Sequence, residues 1–442
     1  MRILWVKMGG LWPATTGGRV RSLQIVSELA KRHTVTVVTT HGAGDDPAGL
    51  KARLSQCEGV TSIPFAVPKT GSPAFAVALA QSWLSPDPVD LWKWRVPALR
   101  NHVSTLMASG QVDLCVSDFL FAAANVPMRT GVPVVLFEHN VEYLIWKRLC
   151  AVERSPWRRA LLAIEWRKLR DREARACQRS DMTIAVSDDD WRRLESIAPG
   201  SCVASVPTGV DTGYFNPAGY RAAPNRLVFS GSMDWHPNED AVIHFVDAIL
   251  PRIRAAVPDV SFTIVGRNPS ARVHELARHP GVAVTGTVDD VRPHIAAAAV
   301  YVVPLRAGSG TRLKIFEALA MARPVVSTTV GAEGLALEPG RQFVPADDPR
   351  DFADAVVALL RDPDRRLALG DAGRTLVETH YSWPTVGCEF ERLCEEALAQ
   401  HAYAPELADG RAYLPRAGSS RPRGARVVAG EHSQIGWSHP HP

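Results

Sequence analysis

The stretch VPLRAGSGTRLKIFEALAMARPVVSTTVGAEGL, residues 303–335, places a glycine-rich turn and a cationic helix start between two apolar strands. Tyr301 to Leu305 is a short apolar run of the kind that forms a buried parallel strand. The turn that follows consists of Gly308, Ser309, Gly310 and Thr311, and either hydroxyl residue is suited to cap the next helix. Unpaired N–H groups at a helix start attract anions. The stretch therefore predicts a phosphate-binding turn.

The helix start adds charged groups to this turn. Arg312 and Lys314 contribute two positive charges, and Glu317 lies three residues beyond Lys314 on the same helical face. A carboxylate there is suited to accept hydrogen bonds from paired sugar hydroxyls, such as those of a ribose. The alternative is a plain turn with a solvated Lys314–Glu317 pair, and the turn alone leaves both interpretations open.

The wider pattern resembles the donor-sugar motif of the family 4 glycosyltransferases, retaining enzymes with the GT-B fold. In that family a Glu, seven residues and a second Glu frame the nucleotide sugar. Glu317 matches the second Glu, whereas Ser309 stands at the position of the first. The resemblance covers about residues 1–400 and implies an α/β fold with two Rossmann-like domains, whose parallel sheets face each other across a cleft.

Two series of alternating strands and helices agree with this architecture. Ile3–Val6, Gly18–Lys31 and Thr34–Thr39 form a βαβ unit and hence part of a parallel sheet. Further strands are predicted at 112–116, 132–137, 182–186 and 202–206, and, in a second series, at 227–230, 261–265, 282–285, 300–305 and 324–327. Asn238 is predicted to cap the first helix of the second series.

These elements predict five regions. An acceptor-side domain spans 1–206, a linker rich in Gly, Pro, Asn and Asp spans 207–225, and a nucleotide-sugar-binding domain spans 226–380. The resemblance implies that the helix of 381–402 returns to the first domain. Residues 403–442 lack apolar periodicity and are predicted to be a disordered tail.

A glycine pair opens the first predicted helix. Gly17 and Gly18 follow the first strand, but the spacing Gly-x-Gly-x-x-Gly is absent there, which argues against a dehydrogenase. The resembling family has a Gly-Gly turn with an Arg soon after, matched by Gly17, Gly18 and Arg19 or Arg21. Glycine would let the backbone approach the donor or the acceptor closely. A tight helix-packing turn is the alternative.

Three polar residues end the strand PVVLF. Glu138, His139 and Asn140 lie at its carboxyl end, where ligands bind in open α/β sheets, and we expect all three side chains in the cleft. The resemblance implies a His at this strand end, near the primary hydroxyl and the anomeric centre of the sugar. We therefore predict a catalytic role for His139 and acceptor-side roles for Glu138, Asn140 and Arg21.

The second domain departs from the family pattern. Gly231 and Gly266 end neighbouring predicted strands and are candidates for close contact with the donor, but Ser232 and Pro237 stand where the family has Arg and Lys. A departing diphosphate needs charge stabilisation, so Arg312 and Lys314 are predicted to supply it. The acidic run 188–190 is typical of a helix start, and neither a metal nor another cofactor is predicted.

Charge is concentrated in one segment. The formal net charge is +4, yet residues 147–179 hold 11 Lys and Arg against 4 Asp and Glu. The segment is predicted either to rest on an anionic membrane surface or to form a bridging helix with salt-bridged faces. A nucleic-acid-binding signature is absent. The apolar run at 3–6 is too short for a signal peptide, so a cytoplasmic location is expected, with peripheral membrane contact under the first interpretation.

Together with the resemblance, these features predict transfer of a hexosyl group from a nucleoside diphosphate sugar to a lipid-linked or saccharide acceptor hydroxyl, and the resemblance implies retention of configuration. Surface polysaccharide or glycolipid synthesis is the expected setting. Two alternatives stay open: a nucleotide-sugar epimerase or hydrolase of the same fold, and a non-catalytic nucleotide-sugar-binding scaffold.

Overall fold

The strands form two fully parallel sheets. The structure, a computed structural model, describes residues 1–128, 130–307 and 313–408. The first sheet contains β1 Arg2–Lys7, β2 Thr34–His41, β3 Gly59–Pro64, β4 Leu114–Asp118, β5 Val134–Phe137, β6 Met182–Ala185 and β7 Val203–Ser205. The second contains β8 Arg226–Ser230, β9 Ser261–Val265, β10 Val282–Val284, β11 Val300–Val303, β12 Val325–Ser327 and β13 Phe343–Pro345.

Helices connect successive strands. Around the first sheet they are α1 Gly17–Leu29, α2 Pro47–Arg53, α3 Pro73–Trp83, α4 Val89–Trp92, α5 Pro97–Ala108, α6 Leu120–Ala123, α7 Glu142–Val152, α8 Pro156–Arg179 and α9 Asp188–Ile197. Around the second sheet they are α10 His236–His244, α11 Leu250–Ala256, α12 Ala271–Glu275, α13 Arg292–Ala296, α14 Leu313–Ala320, α15 Pro349–Arg361 and α16 Pro363–His380. The last helix is α17 Trp383–Ala408.

The two sheets share one strand order. The first runs β3-β2-β1-β4-β5-β6-β7 and the second β10-β9-β8-β11-β12-β13, so each reverses direction after its first strand in sequence. This is the Rossmann-like, doubly wound arrangement, in which ligands bind beyond the carboxyl ends of the strands at the reversal point. The predicted α/β class with two Rossmann-like parallel sheets is confirmed.

The last helix packs against the first sheet although it follows the second in sequence. Trp383, Val386 and Phe390 of α17 belong to the same buried cluster as Trp5 and Phe137. The ring centroid of Phe390 lies 5.7 Å from that of Trp5 and 5.0 Å from that of Phe137. This buried aromatic contact ties the C-terminal helix to the N-terminal domain, here meaning the elements around the first sheet.

The two chain segments that link the domains run side by side. The Val210 N–H donates to the Tyr381 carbonyl at 2.7 Å, and Val210 pairs with Ser382 in a parallel bridge. A Cβ atom added to Gly209 would lie 2.5 Å from Cε3 of Trp383. The outgoing and returning connections are thus in direct contact.

Four elements differ from the sequence prediction. Strands β3 and β13 were not predicted, because the half-buried edge strand Gly59–Pro64 lacks an apolar run and Phe343–Pro345 has only three residues. Asn238 lies inside α10, whose N-cap is Trp235. The basic segment forms two helices rather than one, since Pro156 starts α8 after a break.

The C-terminal helix is longer than predicted. It continues to Ala408 instead of ending at 402. The rest of the predicted tail, 409–442, lies outside the described residues. Within the described part of the chain, none of the helices combines the length and the apolar composition that a membrane span requires.

Candidate active site

A buried polar cluster lies at the carboxyl ends of three neighbouring strands. Asp118 ends β4, Lys7 ends β1 and His139 follows β5. Oδ1 of Asp118 lies 2.8 Å from Nε2 of His139 and 3.3 Å from Nζ of Lys7. The indole N–H of Trp5 donates to Oδ2 of Asp118 at 2.9 Å. One carboxylate therefore holds a cation, an imidazole and an indole in fixed positions.

Burial and charge set the ionisation of this cluster. Burial lowers the pKa of His139 to about 3, although Asp118 opposes the shift. Burial by itself would raise the pKa of Asp118, but Lys7 and His139 outweigh it and lower this pKa to about 2. At neutral pH the site therefore combines a carboxylate with a neutral imidazole.

The neutral imidazole has one ring nitrogen available. Asp118 faces Nε2 and so favours the proton on that atom. Both ring nitrogens are buried and neither has hydrogen-bond geometry with a described residue, but Nε2 has the Asp118 carboxylate 2.8 Å away, whereas Nδ1 has no charged neighbour of this kind. A Cβ atom added to Gly18 would lie 3.6 Å from Nδ1, so this nitrogen faces the start of α1. An acceptor nitrogen is thus aimed at the predicted glycine turn.

Two aromatic rings fix the plane of His139. Its ring stacks on Phe119 with a centroid distance of 3.9 Å and packs against Phe137 at 4.3 Å. Phe119 has φ of 74°, a backbone conformation that non-glycine residues seldom adopt, and it also carries the Lys7 ammonium 4.1 Å above its ring. Strain of this kind persists where the surrounding packing enforces it.

The predicted acceptor-side residues do not lie together. Asn140, with His139, lines a cleft that also receives Glu333 and Gly334 from the second domain. Glu138 is not among the residues that line this cleft. Glu138 is only 1% exposed, so its side chain lies inside the domain rather than in the cleft. The prediction that all three polar side chains enter the cleft is wrong for Glu138.

Glu138 instead joins a group of buried carboxyls. Burial raises its pKa well above the ordinary value, and the nearby Glu173 and Glu142 add to the rise. Both oxygens of Glu173 accept backbone N–H groups at the start of α7, from Glu142 at 2.7 Å and Tyr143 at 3.1 Å. Glu138 and Glu173 are therefore structural neighbours behind the cleft.

Arg21 is also buried. Its guanidinium donates to the Thr208 hydroxyl, in the segment that leaves the first domain. Burial lowers its pKa to about 10, against the opposing attraction of Asp118. Arg21 thus adds positive charge near the Asp118 cluster and contacts the interdomain connection.

The glycine turn faces the second domain. A Cβ atom added to Gly17 would have Cδ1 of Leu313 as its nearest neighbour, at 3.7 Å. Leu313 begins the described part of α14, one residue before Lys314. The starts of α1 and α14 therefore meet across the cleft, which brings the predicted Gly17 and Gly18 towards Lys314.

Lys314 occupies a defined position at the edge of the second sheet. Its Nζ donates to Oδ1 of Asn238 at 2.6 Å and lies 4.1 Å above the Phe229 ring. A Cβ atom added to Gly231 would be 2.7 Å from this Nζ. Asn238 was predicted as a helix cap; its side chain instead positions Lys314 and donates to the Ser232 carbonyl at 2.8 Å.

Glu317 and Gly266 are the remaining predicted donor-binding residues that the structure describes. Burial raises the pKa of Glu317 to about 7, although Lys314 opposes the shift. A Cβ atom at Gly266 would lie 1.7 Å from the Gly231 carbonyl oxygen, so only glycine fits where β8 and β9 end. The predicted Ser309, Gly310, Thr311 and Arg312 lie outside the described residues.

Two residues of the site were missed from the sequence. The local sequence around Asp118 contains no motif that indicates a site, because the residues that contact Asp118 lie on, or directly after, two other strands. Arg267, immediately after Gly266, donates from Nε to the Ser232 hydroxyl at 2.8 Å. An arginine therefore stands beside the serine that replaces the family's usual arginine, but it comes from the neighbouring strand. Among the described residues, no group of three His, Cys, Asp or Glu is placed to hold a metal ion.

Comparison with solved structures shows the fold. Sucrose-phosphate synthase from Thermosynechococcus elongatus aligns over 90% of this chain and 100% of its own, with a TM-score of 0.64 and 16% identity. The GT-B fold is thus shown.

Comparison with curated sequences gives closer relatives for part of the chain. A phosphatidyl-myo-inositol mannosyltransferase of Mycolicibacterium smegmatis is 32% identical over 48% of this chain and 56% of its own length. A GDP-mannose-dependent alpha-(1-6)-phosphatidylinositol monomannoside mannosyltransferase of Mycobacterium tuberculosis is 29% identical over 48% of this chain and 60% of its own. The matched region spans less than two thirds of either relative.

Two family models match successive parts of the chain. The model described as Glycosyltransferase Family 4 matches residues 15–214, and the model described as Glycosyl transferases group 1 matches residues 224–362. The two matches contain the Asp118–His139 cluster and the Lys314 site, respectively. Each model covers less than half of the chain, and together they show two successive glycosyltransferase-like regions.

Proposed function

We propose that this protein transfers a hexosyl group from a nucleoside diphosphate sugar to an acceptor hydroxyl with retention of configuration, in glycolipid or surface polysaccharide synthesis. The observation that carries the proposal is His139, a buried neutral imidazole whose unpartnered Nδ1 faces the Gly17–Gly18 turn, opposite the domain that holds Lys314. Neutral groups suit recognition of a sugar hydroxyl, whereas a cation suits a diphosphate.

The second domain offers the features that a diphosphate requires. Lys314 is held by Asn238 against Gly231, where the absence of a side chain leaves space for the ammonium group. Lys314 and Arg312 would stabilise the charge that develops as the diphosphate leaves. The names of the mannosyltransferase relatives make GDP-mannose the first donor to test.

Retention would follow from attack on the same face that the diphosphate leaves. The departing phosphate oxygen would take the proton of the acceptor hydroxyl, so no side chain has to form a covalent bond with the sugar. His139 would orient the donor sugar by accepting a hydrogen bond at Nδ1. Closure of the two domains would exclude water, which favours transfer over hydrolysis. Neither a metal nor another cofactor has a role in this proposal.

The acceptor side favours contact with an anionic membrane. Glu165 accepts a hydrogen bond from the Val89 N–H, and Glu173 accepts one from the Glu142 N–H at the start of α7. The carboxylates of these two acids in the basic segment are therefore bonded to backbone groups. Trp157 and Ile164 of α8 are 63% and 51% exposed amid this positive charge. Few acids of the segment are left to form the salt-bridged faces of a bridging helix. This supports the other interpretation, in which residues 147–179 bind peripherally to a cytoplasmic membrane face.

A donor and acceptor panel tests the proposal. GDP-mannose, UDP-glucose and ADP-glucose are supplied with vesicles containing phosphatidylinositol, and diphosphate release and lipid-linked product are measured. His139→Ala and Lys314→Ala should each lower kcat/KM by about 10²-fold or more, as expected for loss of an oriented polar contact or of a phosphate cation. Arg350→Ala, an exposed change on α15, is the control.

The outcomes separate the alternatives. Product with the α-anomeric configuration of the donor, read by NMR, supports retention. Donor consumption without any acceptor would indicate a hydrolase or epimerase. Donor binding without turnover on every acceptor would indicate a binding scaffold, and inversion would refute the proposed mechanism.

A further inference from the structure

A second cavity lies in the N-terminal domain, apart from the residues of the cleft. It has about 740 Å³ of open volume and is lined by α4, α6 and α8. Leu91, Leu120 and Met128 are among its apolar lining residues. Four arginines line the same cavity: Arg95, Arg172, Arg175 and Arg179. A lining that combines apolar side chains with guanidinium groups fits a ligand with an anionic head.

The arginines are only partly neutralised. Asp87, which is buried, pairs with Arg95 and, at 2.6 Å, with Arg172. It is the one acid that lines the cavity within the described chain. Arg175 and Arg179 have no ion-pair partner among the described residues. The cavity therefore has a clear excess of positive charge.

Electrostatic repulsion supports this conclusion. Burial lowers the pKa of Arg172, and the positive charges of Arg175 and Arg179 lower it further. Burial and the charge of Arg172 likewise lower the pKa of Arg95. Like charges held this close destabilise one another, and an anion bound among them would relieve the repulsion. Guanidinium groups suit phosphate because their planar N–H donors match its oxygens.

The cavity continues a stripe along α8. At 100° per residue, Trp157, Ile164, Lys168, Arg172, Arg175 and Arg179 fall within an arc of about 80°. The first half of the stripe is apolar and exposed, and the second half is basic and reaches the cavity. Lys168 joins the halves and donates to the carbonyls of Ser82 and Ser85, next to the exposed Leu84.

We propose that the cavity of Arg95, Arg172, Arg175 and Arg179 is a phosphate-binding site separate from the sugar-transfer cleft. Its ligand is a phosphate ester, either the headgroup of an anionic lipid or a soluble phosphorylated metabolite. The site does not depend on the proposed sugar transfer, because its occupancy is measured without donor or turnover.

The test compares two double variants of the full chain with equal loss of charge. Arg175→Gln/Arg179→Gln removes the two unpaired arginines of the cavity. Arg167→Gln/Arg170→Gln removes two exposed arginines from another face of the same helix. Binding of inorganic phosphate and of glycerol phosphate is measured by calorimetry, and binding to phosphatidylglycerol or phosphatidylcholine vesicles by sedimentation. Circular dichroism confirms that each variant is folded.

We expect the cavity variant to bind at least one phosphate probe about tenfold more weakly than the control variant, which loses only the general attraction that the basic segment has for anions. A loss confined to phosphatidylglycerol vesicles identifies the lipid source, and a loss with glycerol phosphate identifies the soluble source. Equal losses in the two variants would overturn the proposal, since they would indicate unspecific attraction to a basic helix. Absence of binding to every probe would overturn it as well.

Discussion

At the scale of single residues, Asp118 controls the chemistry available to His139. Its carboxylate accepts the Trp5 N–H, contacts Lys7 and faces Nε2 of His139. These contacts keep Asp118 ionised in a buried place, and the fixed carboxylate in turn sets the tautomer of the imidazole. A buried acid that was invisible as a motif thus determines which nitrogen of His139 faces the glycine turn.

Asp118→Asn should lower the free energy of unfolding by about 3–5 kcal/mol, because it leaves the ammonium of Lys7 buried without its counter-charge. Urea unfolding measures this loss. The double variant Lys7→Met/Asp118→Asn should recover a large part of it, since neither charge then remains. Equal stability of the single and double variants would show that the Lys7–Asp118 pair is not the reason for the loss.

The two adjacent glycines of α1 should respond differently to alanine. A Cβ atom at Gly18 would lie 2.9 Å from the Phe119 ring, which is held against His139, so Gly18→Ala should lower the free energy of unfolding by about 1–3 kcal/mol. Gly17→Ala meets only Leu313 at 3.7 Å and should be neutral or stabilise by up to about 1 kcal/mol. Chemical denaturation of both variants tests this, and similar losses would contradict it.

At the scale of elements, α8 stabilises the start of α7 through a buried acid. Burial raises the pKa of Glu173 to about 8, although the N–H groups of Tyr143 and Glu142 oppose the rise. The unfolded chain releases this proton near pH 4.3, whereas the folded chain retains it to higher pH. The contribution of Glu173 to stability is therefore present below about pH 4 and is lost as the pH rises towards 8.

Glu173→Gln, which cannot ionise, should remove that loss. The free energy of unfolding of the variant relative to wild type should increase by about 1–3 kcal/mol between pH 5 and pH 8. Denaturant titrations at both pH values provide the measurement. Asp171→Asn, an exposed change two residues away, is the control and should show no such trend. A constant difference between Glu173→Gln and wild type would rule out burial of this proton.

Sequence patterns predicted elements well where burial is continuous. The apolar runs of β1, β5, β8 and β11 gave strands at the right places, because strands buried on both faces need such runs. The half-buried edge strand β3 lacks this signal. In the site, the strand-end rule correctly indicated where His139 would lie, but local sequence could not reveal Asp118 or Arg267, whose contacts join distant segments.

At the scale of the whole molecule, the two domains are joined by a pair of connections that touch. Val210 and Tyr381 share a backbone hydrogen bond, and Gly209 lies against the buried Trp383. Arg21 of the first domain also bonds Thr208 in the outgoing connection. Any closure of the cleft must therefore move the two connections together, and the packing of Gly209 on Trp383 is the contact that most directly couples them.

Gly209→Ala should disturb this coupling, because the new Cβ would lie 2.5 Å from the Trp383 ring. We expect a loss of about 1–3 kcal/mol in the free energy of unfolding, from overpacking against a buried side chain, together with a change in both kcat and KM of the proposed sugar transfer. Gly213→Ala lies in the same connection, meets no atom closer than 3.4 Å, and should leave stability within about 0.5 kcal/mol of wild type. The double variant Gly209→Ala/Trp383→Phe should be less damaged than the sum of its single changes, since the smaller ring makes room for the methyl group. Strict additivity of the two changes would show that the connections do not act through this contact.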